Sequence, residues 1–173
     1  AMSAKAIRQR DHYVLNGMKQ FITTGKHADV IIAFAKTRPE LGPKGISAFI
    51  VPTTTAGYKV VRVEAKMGQH SSDTCQIAFE NMVLPADLLL GEEGQGYRIA
   101  LSNLESGRIG IAAQAVGVAR AAYEVAVQYA KERNVFGKAI IDHQAVGFRI
   151  ARMASRIEAA RQLVHHAAAL KDA

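Results

Sequence analysis

The feature that most constrains this chain is an apolar helical stretch over residues 97–133, whose middle reads Ala112-Ala113-Gln114-Ala115-Val116-Gly117-Val118-Ala119. At 1.5 Å per residue the pattern predicts a helix roughly 55 Å long. A helix so small-sided and apolar nearly all the way round needs neighbours on several sides. Gly107, Gly110 and Gly117 each cost about 1 kcal/mol against alanine in a helix interior. Glycines there imply close approach by a neighbouring helix or by a ligand. A second helix is expected over 143–170, capped by Asp142, with Gly137 in the connecting turn. Its Val146, Ile150, Met153, Ile157 and Val164 share one face. Arg149, Arg152 and Arg156 form a basic stripe, for solvent or for a subunit contact. Two antiparallel helices bury one face each, whereas a bundle normally has four members. The pair is therefore expected to be an incomplete four-helix bundle, completed by other chains or by residues beyond Ala173.

The first half reads differently. Tyr13-Val14-Leu15 runs into Asn16-Gly17, the strongest short hairpin signal, and Lys19-Gln20-Phe21-Ile22-Thr23 resumes the strand. Val30–Ala35 is a short buried-strand run, and Gly42-Pro43 with Lys44-Gly45 marks a turn before Ile46–Val51. Tyr58–Val63 and Gln76–Val83 complete six short strands, the pattern of a small barrel or sandwich. Gly91-Glu92-Glu93-Gly94-Gln95-Gly96 has its glycines in the reverse order of the dinucleotide fingerprint, so it reads as a flexible hinge into the helix. The expected fold is α+β: a small β-barrel (1–87) followed by two long antiparallel helices (88–173).

Composition narrows the function. Cys75 is the only cysteine, which excludes an internal disulfide and a cysteine-rich metal site. The six histidines form no metal constellation, since adjacent His165 and His166 point about 100° apart on a helix. The net charge of +7 asks for an anionic partner or a solvated surface. Basic residues spread from Lys5 to Lys171, without interleaved aromatics, are not a nucleic-acid footprint. No window approaches the roughly 18 apolar residues of a membrane span. Residues 1–10 lack a secretory signal and show no folding logic of their own, as at a cut end.

In order and spacing, a series of short pieces resembles the acyl-CoA dehydrogenase family of flavoenzymes across essentially the whole chain. They are His12-Tyr13-Val14-Leu15-Asn16-Gly17, Lys19-Gln20-Phe21-Ile22-Thr23, Lys66-Met67-Gly68, Ser72-Asp73-Thr74, Val83-Leu84-Pro85 and Leu90-Gly91 to Tyr97. Gly107-Arg108-Ile109-Gly110-Ile111-Ala112 and Glu132-Arg133-Asn134-Val135-Phe136-Gly137-Lys138 complete them. The resemblance implies a parent of about twice this size, with this chain as its middle β-barrel and the first two helices of its C-terminal bundle.

The family's chemistry, by this resemblance, is α,β-dehydrogenation of an acyl-CoA thioester. A glutamate removes the α-proton, a hydride leaves the β-carbon for FAD, and hydrogen bonds stabilise the enolate-like charge. Phe21-Ile22-Thr23 stands where the family has Trp-Ile-Thr against the flavin. Strand alternation would put Phe21 and Thr23 on one face, and Phe keeps the stacking surface but loses the indole N–H. Arg133 resembles the arginine that reaches the FAD diphosphate of a neighbouring subunit, a task suited to a guanidinium. It would equally suit the C-terminal end of a helix dipole. Phe136 and Gln144 occupy positions near the same cofactor.

Glu105-Ser106-Gly107-Arg108 matches the segment lining the acyl-CoA site. Arg108 either meets the CoA or pairs with Glu105 at three-residue spacing. Some members place the catalytic glutamate immediately before that arginine. Gly107 stands there, so the base is expected elsewhere and the chain alone is expected to be inactive. His70 replaces a common arginine and is given no role. The resemblance further implies short- or medium-chain substrates, an electron-transfer flavoprotein as electron acceptor, and a homotetramer in a bacterial cytoplasm or mitochondrial matrix. An oxygen-using oxidase and a non-catalytic assembly module are the alternatives.

Overall fold

The computed structural model describes residues 3–172, apart from the side chain of Ser106. The chain forms two compact units, one running to Ser102 and the other starting at Asn103.

The first unit carries strands β1 (Lys5–Gln9), β2 (His12–Thr23), β3 (Val30–Lys36), β4 (Ile46–Pro52), β5 (Tyr58–Val63), β6 (Thr74–Pro85) and β7 (Leu89–Leu90). They form one seven-stranded sheet in the order β5-β6-β2-β1-β3-β4-β7. Every pairing is antiparallel except β1 with β3. One face is buried, with Ala4, Ala6, Ala33 and Ala35 set among Tyr13, Leu15, Phe49, Ile77, Phe79, Met82 and Leu84. The Tyr13 and Phe49 rings meet edge to face at 5.0 Å, although β2 and β4 are separated by two strands. The sheet therefore curls over its own core. It does not close as the expected barrel would, because β5 and β7 remain unpaired edges. Closure needs both edges to pair, and β7 is only two residues long.

The sheet departs from two sequence expectations. Asn16-Gly17 is not a hairpin turn, since β2 continues through it. Its partner register slips from Leu15↔Met82 to Gly17↔Phe79, with Asn81 at φ 47°, which is a β-bulge. The Asn16 side-chain oxygen accepts the Asn81 N–H at 2.8 Å, and Gly17 sits so close that a Cβ would fall 2.6 Å from Ala4 Cα. The chain instead reverses at Arg10-Asp11, with Arg10 at φ 52°. Residues 3–10 also have a fold role, because Ala4 and Ala6 are buried and β1 bridges β2 and β3.

The glycine-rich segment leads into a helix as expected, yet it is pinned. Gly94 N–H donates to Ser47 Oγ at 2.9 Å, and Cβ atoms at Gly94 or Gly96 would strike the backbone of Lys44 or Ser47 within 2.6 Å.

Helix α1 spans Gly96–Glu132, a tight ladder pairs β8 (Asn134–Val135) with β9 (Lys138–Ala139), and α2 spans Gln144–Asp172. Shared grooves match Ala130 with Val146, Tyr123 with Arg156 and Ala113 with Val164, so the helices run antiparallel. The first α2 hydrogen bonds go to His143, whose carbonyl accepts the Val146 and Gly147 N–H groups. Asp142 is not the cap. It ends a single 3₁₀ turn, and its carbonyl accepts Lys138 Nζ.

Among the described residues of both helices only Gly96 and Ala130 are buried. Leu104, Ile111, Val118 and Val125 recur every seven residues and are 55–71% exposed. This apolar stripe lacks the neighbours that its composition demands.

Candidate functional site

The Phe21-Ile22-Thr23 segment lies at the end of β2, where the strand bulges. Lys19 pairs with Ile77 and Ile22 with Cys75, so β2 holds one residue more than β6 over this step. Phe21 takes up the distortion at φ 58°. Ile22 packs against the core, while Phe21 and Thr23 stand on either side of it in solvent. The Phe21 ring is 70% exposed, unusual for a large apolar side chain on a rigid strand. Just before it, the half-buried Lys19 ammonium donates to the Phe34 carbonyl at 3.0 Å. Burial lowers its pKa.

The turn after Thr23 is organised by Asp73, to which the sequence reading gave no role. Its carboxylate accepts the Lys26 N–H at 3.0 Å and the Cys75 thiol at 3.0 Å, with His27 Nδ1 at 2.9 Å. The Cys75 thiol, then His27 and the Lys26 N–H, hold Asp73 well below the usual carboxylate range. Burial, reinforced by Asp73, pushes the Cys75 thiol up to about 11. That thiol stays protonated at neutral pH and is no nucleophile. Nothing local in the sequence joins Asp73 to His27, since strand pairing brings them together.

A second half-buried carboxylate was also missed. Glu93, in the glycine-rich segment, accepts the Tyr13 hydroxyl at 2.5 Å and lies 3.5 and 3.4 Å from the guanidinium groups of Arg8 and Arg38.

In the second unit, Glu105, Gly107 and Arg108 lie exposed on α1, and the Ser106 side chain lies outside the described residues. Arg108 makes no ion pair among the described residues, so the pairing with Glu105, one of the two readings left open, is not formed. It borders a shallow apolar groove with Leu104, Gly107, Ile111 and Ala115. A Cβ at Gly107, Gly110 or Gly117 would meet nothing within 4 Å, so no described part of this chain explains those glycines.

Arg133, Phe136 and Gln144 gather around the tight ladder. Arg133 O accepts the Ile140 N–H at 2.8 Å, closing the loop, while its guanidinium is exposed and unpaired among the described residues. Phe136, at φ 52° and 92% exposed, contacts the ring of His143 edge-on at 6.3 Å. His143 Nε2 lies 3.1 Å from the Val135 carbonyl, and Gln144 opens α2 beside it. The loop thus presents an unpaired guanidinium and an aromatic ring on a short, hydrogen-bonded frame. Among the described residues there is no cluster able to hold a metal ion and no helix long and apolar enough to cross a membrane.

Comparison with known proteins follows the same division. Residues 1–82 match the model of the acyl-CoA dehydrogenase middle domain, and residues 94–173 that of the acyl-CoA dehydrogenase C-terminal domain. The chain is 51% identical over 172 residues to an acyl-CoA dehydrogenase of Bacillus subtilis, covering 99% of this chain and 45% of that protein. It superimposes on butyryl-CoA dehydrogenase from Megasphaera elsdenii with a TM-score of 0.92 at 46% identity, covering 98% of this chain and 44% of that one. A structure described as the electron transferring flavoprotein of Acidaminococcus fermentans, concerned with flavin-based electron bifurcation, matches with a TM-score of 0.92 at 48% identity, covering 99% and 45%. The chain spans a little under half the length of these relatives. With its strands and its helices each matched over nearly their full extent, the chain belongs to the acyl-CoA dehydrogenase family.

Proposed function

We propose that the protein carrying this chain is an FAD-dependent dehydrogenase of short- or medium-chain acyl-CoA thioesters that hands electrons to an electron-transfer flavoprotein. The carrying observation is the solvent-facing pair Phe21 and Thr23, set on either side of a core-packed Ile22. Phe21 offers a flat apolar face and Thr23 a hydroxyl with no partner among the described residues, which fits an aromatic ring system edged with polar atoms. Arg133 fits a diphosphate, because its guanidinium is exposed and offers several donors to phosphate oxygens. Phe136 supplies a second exposed ring beside it. When bound, FAD supplies the two-electron acceptor.

The remaining roles belong to α1. Arg108 and Glu105 border the acyl-CoA, the arginine meeting its anionic or polar portion. Gly107 carries no carboxylate, so the base that takes the α-proton lies outside residues 1–173, and this chain alone has no turnover. The exposed heptad stripe of α1 is covered in a homotetramer and by the rest of the helical bundle. Such an enzyme works in a bacterial cytoplasm or a mitochondrial matrix. The butyryl-CoA dehydrogenase and electron transferring flavoprotein likenesses support the substrate size and the acceptor.

The test is the full-length gene product purified without added flavin. A flavin absorption spectrum that bleaches anaerobically with butyryl-CoA is expected, with reoxidation by an electron-transfer flavoprotein and only slowly by air. Colourless protein sinks the reading, rapid air oxidation makes it an oxidase, and dye reduction by the 173-residue chain alone overturns the missing base.

A further inference from the structure

Two strands bulge against one residue of β6. On one flank Gln20 and Phe21 of β2 together face Gln76, lying between the pairs Lys19↔Ile77 and Ile22↔Cys75. On the other flank β5 pairs Val60 with Ile77 and Arg62 with Gln76, leaving Val61 as the extra residue. Bulges bend a strand and re-aim its side chains, so the orientation of Phe21 depends on what holds this doubly distorted stretch. Packing of the ring does not hold it, since Phe21 is 70% exposed. Nor does intrinsic preference, because a bulky residue at φ 58° persists only where its surroundings impose the conformation.

One side-chain hydrogen bond ties the two bulged strands together. Gln20 Nε2 donates to Glu64 Oε1 at 2.6 Å. Glu64 follows directly on β5 opposite Thr74, and with the strand order β5-β6-β2 the bond crosses β6 between Thr74 and Gln76. The same oxygen takes the Arg62 guanidinium at 2.8 and 3.2 Å. Glu64 N–H continues the ladder to the Thr74 carbonyl at 2.8 Å, and its carboxylate is only 16% exposed. The strap is therefore anchored at its Glu64 end by backbone and by charge, and at its other end it grips the residue next to Phe21.

We infer that Glu64 is a positioning residue, which acts through Gln20 to fix the aim of the Phe21 ring. The use of that aim rests on the flavin reading above, whereas the mechanics of the strap do not. The chain has no tryptophan, so Phe21→Trp installs a single fluorescent reporter at the position in question. In that background Glu64→Ala and Gln20→Ala are each expected to lower the steady-state anisotropy of the indole by roughly a third, as the ring gains nanosecond freedom. Glu64→Gln is expected to retain most of it, because an amide oxygen still accepts from Gln20. Equal anisotropy in all four proteins, with unchanged circular dichroism, overturns the inference. If Glu64→Ala does not fold, Gln20→Ala decides, since it leaves the Glu64–Arg62 pair intact. The measurement needs no flavin, so its failure is distinct from failure of the FAD reading, which flavin content of the full-length product reports.

Discussion

Tyr13 and Glu93, eighty positions apart in sequence, are joined by a 2.5 Å hydrogen bond from phenol to carboxylate. Arg8 completes the group, with its guanidinium 5.8 Å from the centre of the Tyr13 ring and 3.5 Å from Glu93. The bond fastens the segment leading into α1 to β2 of the sheet. Tyr13→Phe keeps the core packing and removes one charge-assisted hydrogen bond, so a loss of about 1–2 kcal/mol is expected in a urea melt. Burial first, and Glu93 second, push the Tyr13 hydroxyl up to about 12. Its folded pKa is raised, so its contribution is full below the ordinary tyrosine value of about 10 and is lost as pH climbs through 12. Ultraviolet titration of the five tyrosines should show a late step that is absent from Tyr13→Phe.

The acid side has the opposite sign. Asp73 is held low by the Cys75 thiol and His27, and Glu93 by the Tyr13 hydroxyl. Both folded values lie below the unfolded ones, so the stabilisation is present above about pH 4 and lost as pH falls through the lowered values. Asp73→Asn should flatten the fall in melting temperature between neutral pH and pH 2. An unchanged slope argues that Asp73 plays no part.

Two glycines should respond oppositely to alanine. At Gly17, φ is 132° and a Cβ would meet Ala4 Cα at 2.6 Å, so Gly17→Ala should cost more than about 1 kcal/mol. At Gly107 an added Cβ would meet nothing beyond its own helical turn within 4 Å, and Gly107→Ala should stabilise the isolated chain by about 1 kcal/mol through helix propensity. Thermal melts of the two variants decide both claims.

The exposed stripe of Leu104, Ile111, Val118 and Val125 should make the isolated chain self-associate and bind a hydrophobic dye. Ile111→Gln with Val118→Gln should reduce both while leaving helical circular dichroism intact. A monomer that ignores the dye would show that the stripe needs no cover.

Arg133→Ala in the full-length product should weaken FAD retention by about 10–100-fold, the equivalent of one or two charge-assisted hydrogen bonds. Arg133→Lys should fall between, because an ammonium keeps the charge and loses the fork. Equilibrium dialysis with flavin fluorescence measures it, and equal retention in all three proteins removes Arg133 from the site.

Much of the fold was legible because its signals are local. The small apolar surface of α1 forecast a helix without enough neighbours, and the strands Val30–Lys36, Ile46–Pro52 and Tyr58–Val63 lie close to their apolar runs. The misreadings came where a local signal served a non-local end. Asn16-Gly17 has turn chemistry, but its glycine admits the Ala4 backbone and its asparagine satisfies Asn81. Residues 1–10 looked featureless because Ala4 and Ala6 carry too little side chain to register as a strand, though small side chains are what that part of the curled core accepts.

The sequence by itself determined the succession of a β-rich half and two long helices, the family, and the identity of Phe21, Thr23, Arg133 and Phe136 as site candidates, since periodicity and motif spacing are properties of the chain in one dimension. Only the tertiary structure decided how those residues are held. The Glu64–Gln20 strap, the grip of Asp73 on the Lys26 amide and His27, and the Tyr13–Glu93 bond each join residues that the folded sheet brings together from distant positions. The open sheet edge is of the same kind, because closure depends on whether β5 and β7 find partners, which no property of either strand alone can fix.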